Sequence, residues 1–316
     1  MARIKKPEHS SRLIEGLSFV ELSNAIYCEI GNNTITVATD DLCMGFPIEE
    51  DLHAKAHIAH LKNALLKSPD KTAITQLELT KLHVNSEKFE VYVNCECEIK
   101  HATPDNVLGI VSNDFTSFIK ILLPLLSLTG SPSQKSILSW NNSFFATNRK
   151  ILVQIWHGEN LPFFQMSKEF CKVVVKSKKQ ISAFGKSDNS ITFYFSDGSW
   201  VMGRLVEGDW INPEEFLFNC EYFDISNELE LAFETVKDFC PSGVLHCRSG
   251  ALASQPASQD GVIYPVANLP EGPSFTIKDF SFMLKNANKI NMTKLDIWAF
   301  CKDNLRGIIS TKVENV

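Results

Sequence analysis

A short pattern recurs along the chain at a nearly constant interval, and it constrains the fold more than any other feature. Residues 37–45 read VATDDLCMG and residues 145–153 read FATNRKILV, so each places an apolar residue, Ala-Thr and then Asp or Asn before a second hydrophobic run. A weaker copy follows, with Ala253 and Ser254 in the Ala-Thr place. The three alanines are 108 and 107 residues apart. Internal repeats mark repeated structural units, so the chain is predicted to contain three similar domains.

The order of predicted elements is also repeated. Residues 61–64 (LKNA) return at 284–287, and hydrophobic periodicity gives helix, strands, helix, strands in each third. Predicted helices are 11–22, 57–68, 112–127, 167–178, 226–239 and 278–289. Predicted strands are 25–30, 34–40, 74–79, 82–85, 89–93, 136–140, 143–147, 151–156, 191–195, 200–206, 243–249, 261–266, 295–301 and 305–310. Proline-containing breaks near 101–104 and 212–213 predict domains at residues 1–103, 104–213 and 214–316.

Composition excludes several classes of protein. Hydrophobic residues make up 44% of the 316 positions, which is enough to build sizeable cores. Nine cysteines occur without any C-x-x-C pair, as expected for buried thiols in a reducing compartment. The longest apolar run, residues 118–128, is too short to span a membrane and contains Lys120 and Pro124. No signal peptide follows the basic N-terminus, so a cytoplasmic protein without membrane contact is expected.

Lysines are concentrated in the second predicted helix of each repeat. Residues 57–68, 168–179 and 277–289 hold ten lysines and two acidic residues, whereas the whole chain carries a formal net charge of −6. Helical spacing predicts one face for Lys168, Lys172, Lys176 and Lys179, and another for Lys278, Lys285 and Lys289. The plain alternative is the solvated face of any amphipathic helix. Three such helices in register with a repeat favour a basic surface that faces DNA.

One predicted helix has the opposite charge. Residues 226–239 contain Glu228, Glu230, Glu234 and Asp238 against a single lysine. A DNA-facing position for this helix would require these acids to point away from the DNA or to weaken binding there.

Catalytic patterns are weak. Gly185-Lys186-Ser187 resembles the end of a phosphate-binding loop, but the upstream glycine that such a loop requires is replaced by Gln180. His53, His57 and His60 have helix-like spacing and are candidates for a metal site, although no neighbouring Cys or carboxylate completes a ligand set. The sequence therefore predicts no catalytic residues, no metal and no cofactor.

Two stretches of the middle third carry a family resemblance. Ala146-Thr147-Asn148 followed by residues 151–153, and the stretch 197–213 (DGSWVMGRLVEGDWINP), resemble motifs of the ring-shaped DNA polymerase sliding clamps. The similarity is to the three-domain DNA polymerase III beta-subunit type, in a phage-encoded form. The chain departs from this type of clamp in three ways. It has Arg149-Lys150 in place of Gly-His-Arg, its domains have only about 105 residues, and its first domain has no leading strand.

The resemblance implies an α+β DNA clamp fold, with three repeated domains, each of two helices on antiparallel sheets, forming part of a closed ring. It implies a homodimer that encircles double-stranded DNA without sequence preference and catalyses nothing. It also implies that a DNA polymerase and a clamp loader dock through short peptides. In a phage-encoded form the protein would work in the host cytoplasm. The open alternatives are a docking module that does not encircle DNA, and a small-molecule or nucleotide enzyme.

Specific residues follow from the resemblance and the lysine pattern. The expected DNA contacts are Arg12, Lys62, Lys67, Lys120, Gln134, Lys135, Lys168, Lys172, Lys176, Lys179, Lys278, Lys285 and Lys289. Gln134 and Lys135 belong to the polar loop 129–135, which is also compatible with a simple turn. The expected peptide pocket between the second and third domains comprises Ile137, Thr147, Arg149, Leu152, Ile308 and Ile309. Its aliphatic members are equally compatible with a core position.

Overall fold

The structure of the chain is a computed structural model that describes residues 8–68, 72–77, 79–86, 88–112, 114–256 and 261–313. Its contacts divide the chain into two compact units. The first comprises Met1–Lys120 and Met166–Val206, and the second comprises Ile121–Gln165 and Glu207–Val316. Each unit therefore combines two separate stretches of the chain.

Polar caps fix the start of several helices. The helices of the described chain are α1 (Glu8–Val20), α2 (Ile58–Lys67), α3 (Phe115–Leu122), α4 (Pro132–Lys135), α5 (Lys168–Ser177), α6 (Asn227–Val236) and α7 (Ile277–Asn286). Ser167, Ser226 and Thr276 each accept a hydrogen bond from the backbone N–H three residues further on. These bonds satisfy donors that the first helical turn leaves free.

Antiparallel strands form most of the remaining structure. They are β1 (Tyr27–Gly31), β2 (Thr34–Ala38), β3 (Leu42–Pro47), β4 (Ala54–His57), β5 (Ala73–Leu77), β6 (Lys81–Ser86), β7 (Phe89–Glu96), β8 (Val107–Ile110), β9 (Ser136–Trp140), β10 (Ser143–Thr147), β11 (Ile151–Trp156), β12 (Phe164–Ser167), β13 (Ile181–Lys186), β14 (Ser190–Phe195), β15 (Trp200–Arg204), β16 (Phe223–Asp224), β17 (Val244–Arg248), β18 (Ala251–Ala253), β19 (Ile263–Pro265), β20 (Pro273–Thr276), β21 (Lys289–Asn291), β22 (Ile297–Lys302), β23 (Leu305–Ser310) and β24 (Lys312–Val313).

The first unit is built on one long sheet. Its described strands have the order β5-β6-β7-β4-β1-β2-β3-β15-β14-β13-β8. The sheet is continuous because β3 and β15, which are far apart in the chain, pair in antiparallel fashion, with Val201 opposite Met44. In the same joint Trp200 lies opposite Gly45, where a Cβ atom would come within 2.3 Å of the indole ring. Glycine at this position lets the indole lie flat across the joint.

A second joint of the same kind lies in the second unit. An eight-stranded sheet has the order β12-β9-β10-β11-β23-β22-β21-β16, and a five-stranded sheet has the order β19-β18-β17-β20-β24. The larger sheet is continuous because β11 pairs with β23, with Leu152 opposite Ile308 and Ile151 opposite Ile309. In both joints, the third strand of one three-stranded meander pairs with the third strand of another.

The repeated Ala-Thr pattern marks one position in three equivalent hairpins. The Thr39 hydroxyl donates to the carbonyl of Leu42 across the β2–β3 turn, at 3.1 Å. The Thr147 hydroxyl donates to the carbonyl of Ile151 across the β10–β11 turn, at 2.7 Å. In the third copy the Ser254 hydroxyl accepts from the backbone N–H of Val262, at 3.0 Å. The hydroxyl at this repeated position thus forms a hydrogen bond across each turn, to the backbone at the start of the following strand.

Aromatic side chains fill the interior of each unit. In the first unit the Phe193 ring lies 5.3 Å from Phe170 and 6.5 Å from Phe115, between centroids. In the second unit Phe275 lies 4.6 Å from the fully buried Trp298. Each such side chain contributes roughly 1.5–3 kcal/mol on burial, so these clusters hold the helices against the sheets.

The predicted α+β clamp fold is confirmed, with differences at particular elements. Strands β9, β10 and β11 have the predicted bounds, and the chain begins with a helix in its described part. Several short strands were not predicted, namely β3, β4, β8, β12, β13, β16, β18, β20, β21 and β24. The prediction of a helix to residue 289 is wrong, because α7 ends at Asn286 and β21 follows. The division into three domains stays a prediction.

Candidate nucleic-acid interface and docking surface

Helix α5 presents a basic face opposite its buried face. Phe170, Cys171, Val173 and Val174 are buried, so the exposed side of the helix carries the lysines. Lys176 is exposed and Lys172 is half-buried, with its Nζ 2.8 Å from a Glu169 carboxylate oxygen. Lys168 precedes them on the same face, at the first helical position. These three lysines therefore lie on the side of α5 away from its buried residues, and their contact with DNA stays a prediction.

The expectation that Lys179 extends this face is wrong. The helix ends at Ser177, and Lys178 adopts a left-handed conformation with φ of 56°, which turns the chain away from the helix axis. The Nζ of Lys179 lies 2.5 Å from Oδ2 of Asp197 and 3.0 Å from the Ser199 hydroxyl. It also lies 4.3 Å from the centroid of the Phe19 ring. Lys179 thus has a structural role between α1 and the β14–β15 hairpin.

The electrostatics of Asp197 agree with that role. Burial raises the pKa of Asp197, and the hydrogen bonds from Lys179 and Ser199 lower it by more, so that the net shift is downward. The carboxylate is therefore held in its charged form. Arg12, another expected DNA contact, donates from its guanidinium to the Asp197 carbonyl at 3.1 Å and lies 5.1 Å from the Phe46 ring centroid.

Helices α2 and α3 carry single exposed lysines. Lys67 and Lys120 are exposed, whereas Lys62 forms an ion pair with Glu21 at 2.6 Å. Lys120 lines a cavity of about 350 Å³ between α3 and the end of α5, together with Lys178 and Lys179. Lys178, one of the ten lysines counted in the predicted helices, was not among the expected DNA contacts.

Loop 129–135 is more ordered than a simple turn. The Gln134 side chain accepts from the backbone N–H of Ser131 at 3.2 Å, so it completes a capping box for α4. Lys135 ends that helix and is half-buried. Gln134 therefore stabilises α4, and only Lys135 offers a charge.

Helix α7 carries two of the three lysines that were expected to share its face. Lys278 and Lys285 are exposed on the helix. Lys289 is exposed too, but it lies on β21 opposite Cys301, which belongs to the sheet face away from Trp298 and α7. The prediction that Lys289 continues the helical face is wrong, because the helix ends three residues earlier.

Helix α6 remains an acidic element. Its buried face consists of Leu229, Ala232, Phe233 and Val236, which leaves its carboxylates exposed. Glu234 pairs with Lys237 at 2.5 Å, and Glu228, Glu230 and Asp238 are exposed. The acids and the exposed Leu231 share the solvent side of the helix, so this surface has the opposite charge to α5.

The expected peptide pocket is divided between two faces of the eight-stranded sheet. Register places Leu152 opposite both Thr147 and Ile308, so these three residues share one face, here called the outer face. Ile309 is the neighbour of Ile308 and projects to the opposite face, where it is fully buried. Ile137 is fully buried as well, on the face opposite Leu138. Because side chains alternate along a strand, one surface cannot include all of these residues.

Part of the outer face is covered by the chain itself. Leu152, Ala299 and Ile308 form a buried cluster at 4%, 1% and 7% exposure. The segment 210–222 packs against it, and the side chains in contact are Trp210, Leu217, Phe218, Cys220 and Tyr222. The segment is anchored by hydrogen bonds from Gln165 to the Gly208 carbonyl and from Asn291 to the Glu221 carbonyl. Aromatic enrichment in this stretch was the sequence signal for a packing role.

Arg149 is the exposed member of the expected pocket. It occupies the turn between β10 and β11 with φ of 76°, and its backbone N–H donates to the Thr147 hydroxyl at 3.1 Å. Thr147 itself is buried, so it shapes the turn.

The weak catalytic patterns do not form a site in the described residues. Gly185 lies within strand β13, where a Cβ atom would come 2.5 Å from the Asn106 carbonyl oxygen, so it permits a close backbone approach. His57 caps α2 and stacks on His60 with ring centroids 4.0 Å apart, while His53 lies in the loop before β4. Among the residues described, no three His, Cys, Asp or Glu side chains are grouped as a metal would require.

The cysteines form no disulfide with one another and are mostly shielded. All nine are free, and Cys28, Cys171 and Cys247 are deeply buried. Burial raises the pKa of the Cys28 thiol to about 12, so it stays protonated and unreactive. Within the described residues, none of the helices has the length and apolar character needed to cross a bilayer.

Several solved structures share the fold of this chain over nearly their whole length. A DNA polymerase sliding clamp from Bacillus subtilis superposes with a TM-score of 0.76 at 13% identity, covering 98% of both chains. The beta subunit of a Streptococcus pyogenes DNA polymerase gives 0.75 at 14% identity, covering 97% of this chain and 99% of that one. A Helicobacter pylori beta clamp bound to a DNA ligase peptide gives 0.72 at 10% identity, covering 96% and 98%.

The chain therefore has the fold of a DNA polymerase sliding clamp. In particular, it has the fold of the bacterial DNA polymerase III beta subunit. No family model matches the sequence, and no curated protein matches it either. At identities of 9–14% the likeness is one of fold, and function has to be argued from the residues.

Proposed function

We propose that this protein is a processivity factor of DNA replication: a homodimeric ring that encircles duplex DNA and tethers a polymerase. The ring catalyses nothing and requires no cofactor. It works in the cytoplasm, in a host cell if the protein is phage-encoded. The single observation that carries the proposal is the pattern of strand joints, which leaves one joint incomplete within each chain.

The joints follow a simple rule. The described strands form six three-stranded meanders, and the third strands pair as β3 with β15 and as β11 with β23. The two remaining third strands are β7 and β19. Among the described strands, β19 pairs only with β18, and residues 89–94 of β7 pair only with β6. Each therefore keeps a free edge that can accept a strand.

Two copies can complete the pattern. If β19 of one copy pairs with β7 of the other, each of two such joints matches those already formed within the chain. Exposed apolar side chains are available there, with Ile263 at 45% and Tyr92 at 51% exposure. A second copy is thus the natural partner for these edges, and two copies close a ring with six joints.

The charge distribution suits a ring that slides. Lys67, Lys120, Lys176, Lys278 and Lys285 are exposed on helices, while the formal net charge of the chain is −6. Lysine contacts to phosphates carry no sequence information and weaken with salt, so the ring can move along the duplex. The five lysines are proposed to line the hole.

Partner proteins are proposed to bind as short peptides at the outer face. The Helicobacter pylori clamp binds a DNA ligase peptide, and by analogy a polymerase and a clamp loader would use such peptides here. Thr147, Leu152 and Ile308 share the relevant face, and Arg149 borders it. A bound peptide would have to displace part of the segment 210–222 from Leu152 and Ile308.

Solution mass tests the proposal. Sedimentation equilibrium should give twice the subunit mass of 35.5 kDa at micromolar concentration. A stable 35.5 kDa species at that concentration would contradict the homodimeric ring.

A further inference from the structure

A cavity of about 500 Å³ opens on the outer face, beside the cluster formed by Leu152, Ala299 and Ile308. Its floor is the continuation of β11, β22 and β23, where Gln154, Cys301 and Arg306 project from the same face. Its other lining residues are Trp156, Asn219, Tyr222, Asp303, Asn304 and Leu305. The cavity thus lies between the sheet and the end of the segment 210–222.

Arg306 is oriented at the floor of this cavity by two neutral groups. Its Nε donates to Oε1 of Gln154 at 2.6 Å, and its Nη1 donates to Oδ1 of Asn219 at 3.4 Å. In the part of the chain that the structure describes, no carboxylate forms an ion pair with it. The amide oxygens fix the plane of the guanidinium without neutralising it, so a charged fork with remaining donors is held half-buried.

Trp156 supplies an exposed apolar surface at the rim. Its side chain is 58% exposed, an unusual position for the largest apolar residue. Its backbone is held on both sides, because Trp156 N–H donates to the Asn304 carbonyl at 2.9 Å and the Asn304 amide donates to the Trp156 carbonyl at 2.7 Å. Gly158 lies under the ring, where a Cβ atom would be 3.2 Å from the indole.

The remaining groups limit the charge of a ligand. Desolvation raises the pKa of Tyr222 far above its usual value, and burial also raises the pKa of Cys301, so both stay neutral near pH 7. Of the described residues that line the cavity, Arg306 and Asp303 are then the only charged ones. One guanidinium opposed by one carboxylate suits a monoanion better than a doubly charged phosphate.

We propose that this cavity binds the carboxylate side chain of a peptide, with the carboxylate on the Arg306 fork and a neighbouring apolar side chain on Trp156. The site is separate from the residues assigned to the peptide pocket above. It does not depend on ring closure or on DNA.

A matched pair of blocked peptides tests the site. The ligands are acetyl-Gly-Glu-Phe-Gly-amide and acetyl-Gly-Gln-Phe-Gly-amide, in which the Glu side chain is the only carboxylate. Saturation-transfer NMR on the full chain without DNA gives the two dissociation constants. We expect the Glu peptide to bind at least tenfold more tightly than the Gln peptide, because a charge-assisted bidentate contact is lost in the second.

Variants locate the site. Arg306→Gln should weaken binding of the Glu peptide at least tenfold and remove the discrimination, and Arg306→Lys should retain part of it. Lys302→Gln removes the same charge from the exposed end of β22 outside the cavity, and it should stay within twofold of the wild type. Sodium acetate should displace the Glu peptide more effectively than inorganic phosphate does.

Three results would overturn the site: equal binding of the two peptides to the wild type, equal losses in Lys302→Gln and Arg306→Gln, or stronger displacement by phosphate than by acetate. If Arg306→Gln fails to fold, the comparison of peptides on the wild type still decides. Because the assay contains no DNA, its failure leaves the ring intact, and failure of ring closure leaves this site intact.

Discussion

The ammonium group of Lys179 lies 2.5 Å from Oδ2 of Asp197. The centroids of the Phe19 and Phe46 rings lie 4.3 and 4.6 Å from the same Nζ. Lys176, one helical turn earlier, is exposed on α5. Two lysines that look equivalent in the sequence therefore have different surroundings. Lys179 joins two parts of the first unit, and Lys176 is exposed to solvent, where the proposed function assigns it to DNA.

Substitution by methionine should separate these roles. Lys179→Met removes the cation and leaves the partly buried Asp197 carboxylate without its partner, so we expect the free energy of unfolding to fall by about 1–3 kcal/mol. Lys176→Met should change it by less than about 0.5 kcal/mol. Urea denaturation of both variants measures the difference. Equal stability of the two variants would refute the structural role of Lys179.

Lys176→Met, which should leave stability almost unchanged, should weaken the binding of DNA. Loss of one phosphate contact should reduce the slope of log affinity against log salt by roughly 0.9. The measurement is the equilibrium affinity for a short linear duplex, from which a ring can slide off, over a series of salt concentrations. An unchanged slope in Lys176→Met would show that α5 does not face the duplex.

The acidic helix α6 gives a prediction of opposite sign. Glu228 and Glu230 are exposed in its first turn, and in the proposed ring they repel phosphates. Glu228→Gln with Glu230→Gln should raise the equilibrium affinity for a short linear duplex at a given salt concentration. The control is Glu271→Gln, an exposed loop position with the same charge change per residue. If the double variant behaves like this control, the acids of α6 do not face the duplex.

In the proposed ring, closure depends on the free edges of β7 and β19. Ile263→Asp places a charge in the expected joint and should weaken the dimer roughly tenfold or more, equivalent to about 1.4 kcal/mol. Ile110→Asp is the matched control, because Ile110 is 81% exposed on β8, an edge strand outside the expected joint. Sedimentation over a concentration series compares the two. A dimer weakened by Ile110→Asp and untouched by Ile263→Asp would place the interface elsewhere.

His157 should make stability depend on pH. Desolvation by burial lowers its pKa from 6.5 to about 4, so the unfolded chain takes up this proton at higher pH than the folded chain does. The stabilisation is complete above pH 6.5 and is lost progressively between pH 6.5 and 4. The loss amounts to about 3 kcal/mol. Subtracting the unfolding free energies of His157→Gln from those of the wild type isolates this contribution. A difference that does not vary with pH would contradict the burial argument.

The sequence predicted most elements that have clear periodicity and flanking turns. The β9-β10-β11 meander is an example, since Asn141-Asn142 and the Thr147 turn separate three apolar runs. Strands such as β8 and β20 were missed because each has only four residues and is defined by pairing with a distant strand. Nothing local in residues 107–110 indicates that β13 will be their neighbour.

The errors in the predicted site residues arise from structural features that hydrophobic and charge periodicity do not show. Periodicity grouped Lys179 and Lys289 with helical lysines, but both lie beyond helix ends set by a left-handed residue and by strand pairing. Adjacent isoleucines 308 and 309 were grouped together, although neighbouring residues in a strand face opposite ways. The cover formed by the segment 210–222 required tertiary contacts that periodicity cannot reveal.

Topological linkage to DNA is the central claim, and retention on circular against linear DNA tests it most directly. Protein loaded on a nicked circle should remain bound at a salt concentration that suppresses electrostatic contacts, and it should be released when a restriction enzyme linearises that same circle. Ile263→Asp should reduce retention on the circle, and Ile110→Asp should not. Equal release from circular and linear DNA at the same salt would contradict a closed ring.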